Sequence, residues 1–145
     1  MAFPADIQSG NSHLLDELIA GLAYEWQGWV PTVTPSGSMT YTSTTLWFAR
    51  YVQIGDLVHF RIGITGTTGG TASSNISFTL PVAVNDQSGT AFEQVCSAYI
   101  YDGAGNVAMG LIRDNDKVEV YKDALANYSL TAGCTIHITG TYEVA

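Results

Sequence analysis

A chain of 145 residues is one domain's worth of sequence, long enough to bury a core without disulfides or metals. Hydrophobic residues at 46% exclude compositional disorder, and charged residues stand at only 12%, their place taken by 16 Thr, 11 Ser and 15 Gly, a mix suited to strands and turns. Five basic against 13 acidic residues leave a net charge of −8, which excludes the basic footprint that nucleic acids and anionic membrane surfaces require.

Residues 1–11 form a polar leader with Gly and Pro. It has neither the basic n-region nor the apolar h-region of a secretion signal, so synthesis and folding in a cytoplasm are expected. A short α-helix is expected next. Ser12 is placed to N-cap it, Asp16 and Glu17 sit early, and Leu14, Leu15, Leu18, Ile19 and Leu22 recur at helical spacing. At about three turns it needs something to pack on. Leu15, Leu18 and Leu22, three and then four apart, fit a seam between identical helices and fit equally a docking on the chain's own β-domain. No apolar run approaches the roughly 18 residues of a membrane span, so no insertion is expected.

From Trp26 onward the pattern changes to strands and turns. Strands are predicted at 29–34, 38–42, 46–54, 57–65, 75–80, 92–101, 106–112, 117–122 and 134–144. Val58, Phe60, Ile62 and Ile64 alternate with His59, Arg61 and Gly63. Ile76, Phe78 and Leu80 alternate with Ser77 and Thr79, and Cys134, Ile136 and Ile138 with Thr135 and His137. Turn residues at Pro35–Gly37, Gly55-Asp56, Gly69-Gly70, Asp86–Gly89, Asp102–Gly105 and Asp114-Asn115 separate the strands. Short strands at this spacing imply a β-sandwich or barrel.

A two-residue turn at Gly55-Asp56 sets Ile54 opposite Leu57, Tyr51 opposite Phe60 and Ala49 opposite Ile62. One face of this hairpin then carries Trp47, Ala49, Tyr51, Val58, Phe60, Ile62 and Ile64. The other carries Leu46, Phe48, Arg50, Val52, Ile54, Leu57, His59 and Arg61. A hairpin apolar on both faces calls for burial on both, so the second set is expected to form an oligomer interface. The register also sets Arg50 against Arg61, an unfavourable pairing that carboxylates from a neighbouring subunit would relieve and a different turn length would abolish.

Catalytic patterns are missing from the sequence. There is no G-x-S-x-G, and the Gly-rich stretch Gly63–Gly70 lacks the Lys of a phosphate-binding loop and is expected to be a hairpin tip. His13, His59 and His137 have no metal-ligand spacing, and no metal site is expected. Cys96 and Cys134 lie within predicted strands, with Cys134 on an apolar face as a buried free thiol. Asp86, Asp102, Asp114 and Asp116 are expected as solvated turn residues. No catalytic residues and no cofactor are expected. Trp29 and Trp47 are expected in the core or an interface, and Tyr99 and Tyr101, sharing one strand face, are the candidate carbohydrate contacts.

Several segments recur in a familiar order. They are Trp29–Thr34, then Ala49-Arg-Tyr-Val-Gln-Ile-Gly55, the strand Val58–Ile64, Ile76-Ser-Phe-Thr-Leu-Pro-Val82 and the closing Ile136-His-Ile-Thr-Gly-Thr-Tyr-Glu143. Over residues 29–145 this resembles the small jelly-roll-like β-sandwich domains of tailed-bacteriophage virion proteins: tail fibres, receptor-binding proteins and head decorations. The resemblance implies a homotrimer, a place in the virion and contact with other virion proteins of capsid, neck or tail. Residues 1–28 would then be an anchor, with Leu15, Leu18 and Leu22 on its helix. The implied function is a non-enzymatic virion appendage or decoration, the alternative being a host-glycan adhesin.

Overall fold

A computed structural model describes residues 25–84, 94–113, 116–122 and 125–144, with the backbone alone for Arg113. The strands are β1 (Gln27–Gly28), β2 (Val33–Pro35), β3 (Met39–Ile54), β4 (Leu57–Gly70), β5 (Asn75–Thr79), β6 (Gln94–Tyr101), β7 (Gly105–Arg113), β8 (Lys117–Lys122) and β9 (Ala132–Glu143). They make one antiparallel sheet in the order β1-β3-β4-β9-β6-β7-β8-β5-β2. No α-helix falls among the described residues, and the helix expected around Leu15, Leu18 and Leu22 lies outside them.

The sheet must curl. A flat sheet of nine strands is roughly 38 Å wide at about 4.8 Å per strand. Yet β1 pairs with β3 at one edge, β2 pairs with β5 at the other, and the chain from Gly28 to Val33 reaches at most about 18 Å. That crossing segment is fastened to both sides. The Trp29 backbone N–H donates to Ala49 O at 3.2 Å, and its indole Nε1 donates to Thr79 O at 3.1 Å. Thr32 and Thr79 exchange two further bonds, from the Thr32 amide to Thr79 Oγ1 and from the Thr79 amide to Thr32 O.

The inner face of the curl holds the core that the alternation foretold. Val58, Phe60, Ile62 and Ile64 of β4, Ile76 and Phe78 of β5, and Cys134, Ile136 and Ile138 of β9 are all buried. Burying each large apolar side chain contributes about 1.5–3 kcal/mol. The polar ends of the buried tyrosines are satisfied by backbone carbonyls: Tyr41 by Cys134 O, Tyr128 by Val120 O and Tyr142 by Val82 O, at 2.9–3.0 Å. Burial of its phenol pushes the Tyr142 pKa up to about 12.

The hairpin register agrees with the two-residue turn. Ile54 faces Leu57, Tyr51 faces Phe60, Ala49 faces Ile62 and Arg50 faces Arg61. Two expectations change. The predicted strands 38–42 and 46–54 are one 16-residue strand, and Gly63–Gly70 is not a tip but the distal half of β4, paired with β3 as far as Met39 opposite Gly70. Gly66 is needed there because the Tyr41 ring lies against its backbone, where an added Cβ would come within 2.8 Å of the ring.

The third change follows from a bulge in β3 between Leu46 and Phe48. The extra residue reverses the side-chain alternation at that point. Leu46, expected on the outer face, packs against the core, while Trp47, expected inside, is 54% exposed.

Candidate functional site

The outer face of the sheet gathers aromatic and cationic side chains where β3, β4, β9 and β6 run side by side. Strand register explains the grouping. Phe48, Gly63, His137 and Tyr99 form one transverse row, and Arg50, Arg61, Thr139 and Ser97 form the next. Paired residues on antiparallel strands point to the same face, so residues distant in sequence come together.

Phe48 lies against Gly63, where an added Cβ would stand 2.6 Å from its ring. Glycine at this position therefore lets the ring settle onto the strand. His137 stands beside it, with ring centroids 5.9 Å from Phe48 and 5.5 Å from Trp47. The Arg61 guanidinium lies over two rings, 5.1 Å from the Trp26 centroid and 5.2 Å from that of Phe48. Trp26 also meets His59 edge-on at 5.6 Å, and His59 Nδ1 lies 3.0 Å from Thr141 Oγ1.

Between these side chains runs a groove of about 420 Å³. Phe48, His137 and Tyr99 supply its aromatic surfaces, Ser97 and Thr139 its hydroxyls, and Arg61 its charge. The rings of Phe48, His137 and Tyr99 fall in one transverse row and Arg61, Thr139 and Ser97 in the next, so aromatic surface and polar groups lie side by side. Such a site offers flat apolar faces together with hydrogen-bonding groups, the combination that a pyranose ring, apolar on its C–H face and polar at its edge, requires.

Among solved structures, the crystal structure of the receptor binding protein (gp15) of Listeria phage PSA is similar to this chain at 19% identity and a TM-score of 0.48. The match covers 99% of this chain and 82% of that one. No protein-family model and no curated protein matches the sequence.

The residues singled out from the sequence are distributed as follows. Tyr99 lines the groove, while Tyr101, exposed on the same strand face, lies opposite Thr135 and Gly105 and outside the lining. Phe48 and Arg61 enter the groove. Arg50, Val52, Ile54, Leu57 and His59 stay on the outer side of the hairpin, with Ile54 and Leu57 exposed beside its turn. Trp26, Trp47 and His137 were missed as parts of one cluster. The polar-face position of His137 was readable, but its neighbours depend on the β4–β9–β6 order and on the bulge.

Asp102 departs from expectation as well. It is 3% exposed rather than solvated, accepting from Lys122 Nζ at 2.9 Å, the Ser129 amide at 2.7 Å and Asn106 Nδ2 at 3.2 Å. Burial by itself would raise its pKa, but the hydrogen bonds from Lys122 and Ser129 and the Lys122 charge together hold it below the ordinary carboxylate value. Cys96 and Cys134 are buried free thiols, pushed up to about 12 chiefly by burial, which leaves them protonated and weakly nucleophilic at neutral pH. No group of three or more His, Cys, Asp and Glu suited to a metal ion occurs among the described residues.

Proposed function

We propose that this chain is a non-enzymatic bacteriophage virion appendage domain that binds a host-surface glycan in the groove between β3, β4, β9 and β6. The observation that carries the reading is the groove itself, with the rings of Phe48, His137 and Tyr99 in one row beside the Ser97 and Thr139 hydroxyls in the next. The virion setting comes from the order of sequence segments resembling phage appendage domains, and with it the curled sheet is taken as a jelly-roll-like sandwich. Residues 1–28 are proposed as the virion attachment. In a trimer, Val52, Ile54 and Leu57 at the hairpin end would meet neighbouring copies and leave Phe48 and Arg61 to the ligand; sedimentation equilibrium showing a monomer would remove that part. Three weak sites on one particle would add by avidity.

The test is binding of the purified chain to a panel of bacterial surface polysaccharides, with Tyr99→Ala alongside. Tyr99 is 44% exposed, so its truncation should leave the melting temperature unchanged. Affinity for any polysaccharide bound is expected to fall about tenfold or more on losing a stacking face. Binding that survives the substitution, or a chain that binds no polysaccharide, would contradict the reading.

A further inference from the structure

We infer that the sugar taken by the groove carries a carboxylate, and that Arg61 is the residue that holds it. The inference rests on the glycan-binding reading and adds the chemical class of the ligand. Its first ground is charge. The chain has only 5 basic residues against 13 acidic, yet Arg50 and Arg61 stand side by side on this one face. Among the described residues neither has a carboxylate partner, whereas Lys122, on another part of the sheet, is paired with Asp102. Two adjacent guanidinium groups without counter-charge repel each other, and an anion bound at the groove removes that cost.

The second ground is how Arg61 is held. Its guanidinium carbon lies over the rings of Trp26 and Phe48, 5.1 Å and 5.2 Å from their centroids, so two ring faces hold the cation. The Arg61 guanidinium makes no hydrogen bond or ion pair among the described residues, so its N–H donors are open to a ligand, and two parallel donors match the two oxygens of a carboxylate. Contact with two rings also restrains a long side chain in advance, which lowers the entropy lost on binding. The third ground is economy of charge within the groove. Arg61 is the one Lys or Arg among the lining residues, set beside hydroxyls and rings. One fixed positive charge next to a sugar-sized stacking surface suits a uronic-acid type of residue, in which a single planar carboxylate projects from the pyranose edge.

The experiment uses the full chain and a polysaccharide panel of four kinds: uronate-bearing, neutral, phosphate-bearing, and the uronate-bearing members after chemical reduction of their carboxyl groups to alcohols. The expected result is binding to uronate-bearing polymers, its loss on carboxyl reduction, and a fall in affinity of about tenfold or more for Arg61→Gln and Arg61→Lys alike, since Lys lacks the planar fork. Arg50→Gln, outside the groove lining, should weaken binding only a few-fold through the general field. Neutral polymers bound as tightly, or binding that survives carboxyl reduction, would overturn the inference and leave the glycan reading standing. Exclusive binding of phosphate-bearing polymers, or equal losses for Arg50→Gln and Arg61→Gln, would also overturn it. A chain that binds none of the four kinds would overturn the glycan reading itself.

Discussion

Asp102 shows how one side chain can tie together segments far apart in sequence. Its carboxylate joins the turn after β6 to Lys122 at the end of β8 and to the Ser129 amide in the run toward β9. With 1% side-chain exposure for Asp102 and 13% for Lys122, removing one partner leaves the other charge poorly compensated. Asp102→Asn is therefore expected to lower unfolding free energy by about 3 kcal/mol, measured by urea denaturation at neutral pH. The pH dependence has a definite sign. The folded pKa is depressed, so the stabilisation is fully present above the unfolded-state value near 4 and is lost as pH falls through the lower folded value. Wild type and Asp102→Asn should converge in stability as the pH is lowered below about 4, and a constant gap would mean that the carboxylate charge is not what matters. A turn position in sequence gave no hint of this burial, because Asp is at home in solvated turns and its partners lie 20 and 27 residues further on.

At the scale of the element, the β3–β4 hairpin was legible wherever period-2 alternation ran unbroken. Four alternate apolar residues in β4 and the turn at Gly55-Asp56 were enough to fix the register through Ala49 opposite Ile62. Legibility ended at the bulge. A single inserted residue exchanges the faces of Leu46 and Trp47, and an apolar run such as Leu46-Trp-Phe48 reads equally well in either phase. The Gly-rich half of β4 failed for a related reason. Glycine is a turn former in isolation, but here Gly63 and Gly66 receive the rings of Phe48 and Tyr41 across the ladder. Deleting Trp47 is a direct check on the bulge. Leu46 would then precede Phe48 immediately, one inward and one outward, as plain alternation requires. The fold should survive with a melting temperature within about 4 °C of wild type, as expected for a change near 1 kcal/mol in a domain of this size. Glycan affinity should fall with the loss of the ring beside His137. Loss of cooperative unfolding would show that the register around residue 47 is not the one described.

For the whole molecule, the charge balance takes on a location. A net −8 excluded polyanionic partners over most of the surface, but it did not reveal that two of the five basic residues sit together on one outer face. The core was readable because it depends on local alternation. The groove was not, because it depends on strand order: β4 neighbours β9 and β9 neighbours β6, bringing Arg61, His137 and Tyr99 into adjacent rows. Tyr99 is the candidate glycan contact that both sequence and geometry point to, whereas alternation in the sequence places Phe48 and Arg61 at contacts between copies. The central claim is that this four-strand groove is where a glycan binds, and chemical-shift mapping of the ¹⁵N-labelled chain against a bound polysaccharide fragment tests it most directly. The account predicts shifts centred on the amides of Phe48, Gly63, Ser97, Tyr99, His137 and Thr139. Shifts centred instead on the 71–74 connection or on the Tyr101 end of β6, with the groove amides unmoved, would contradict it.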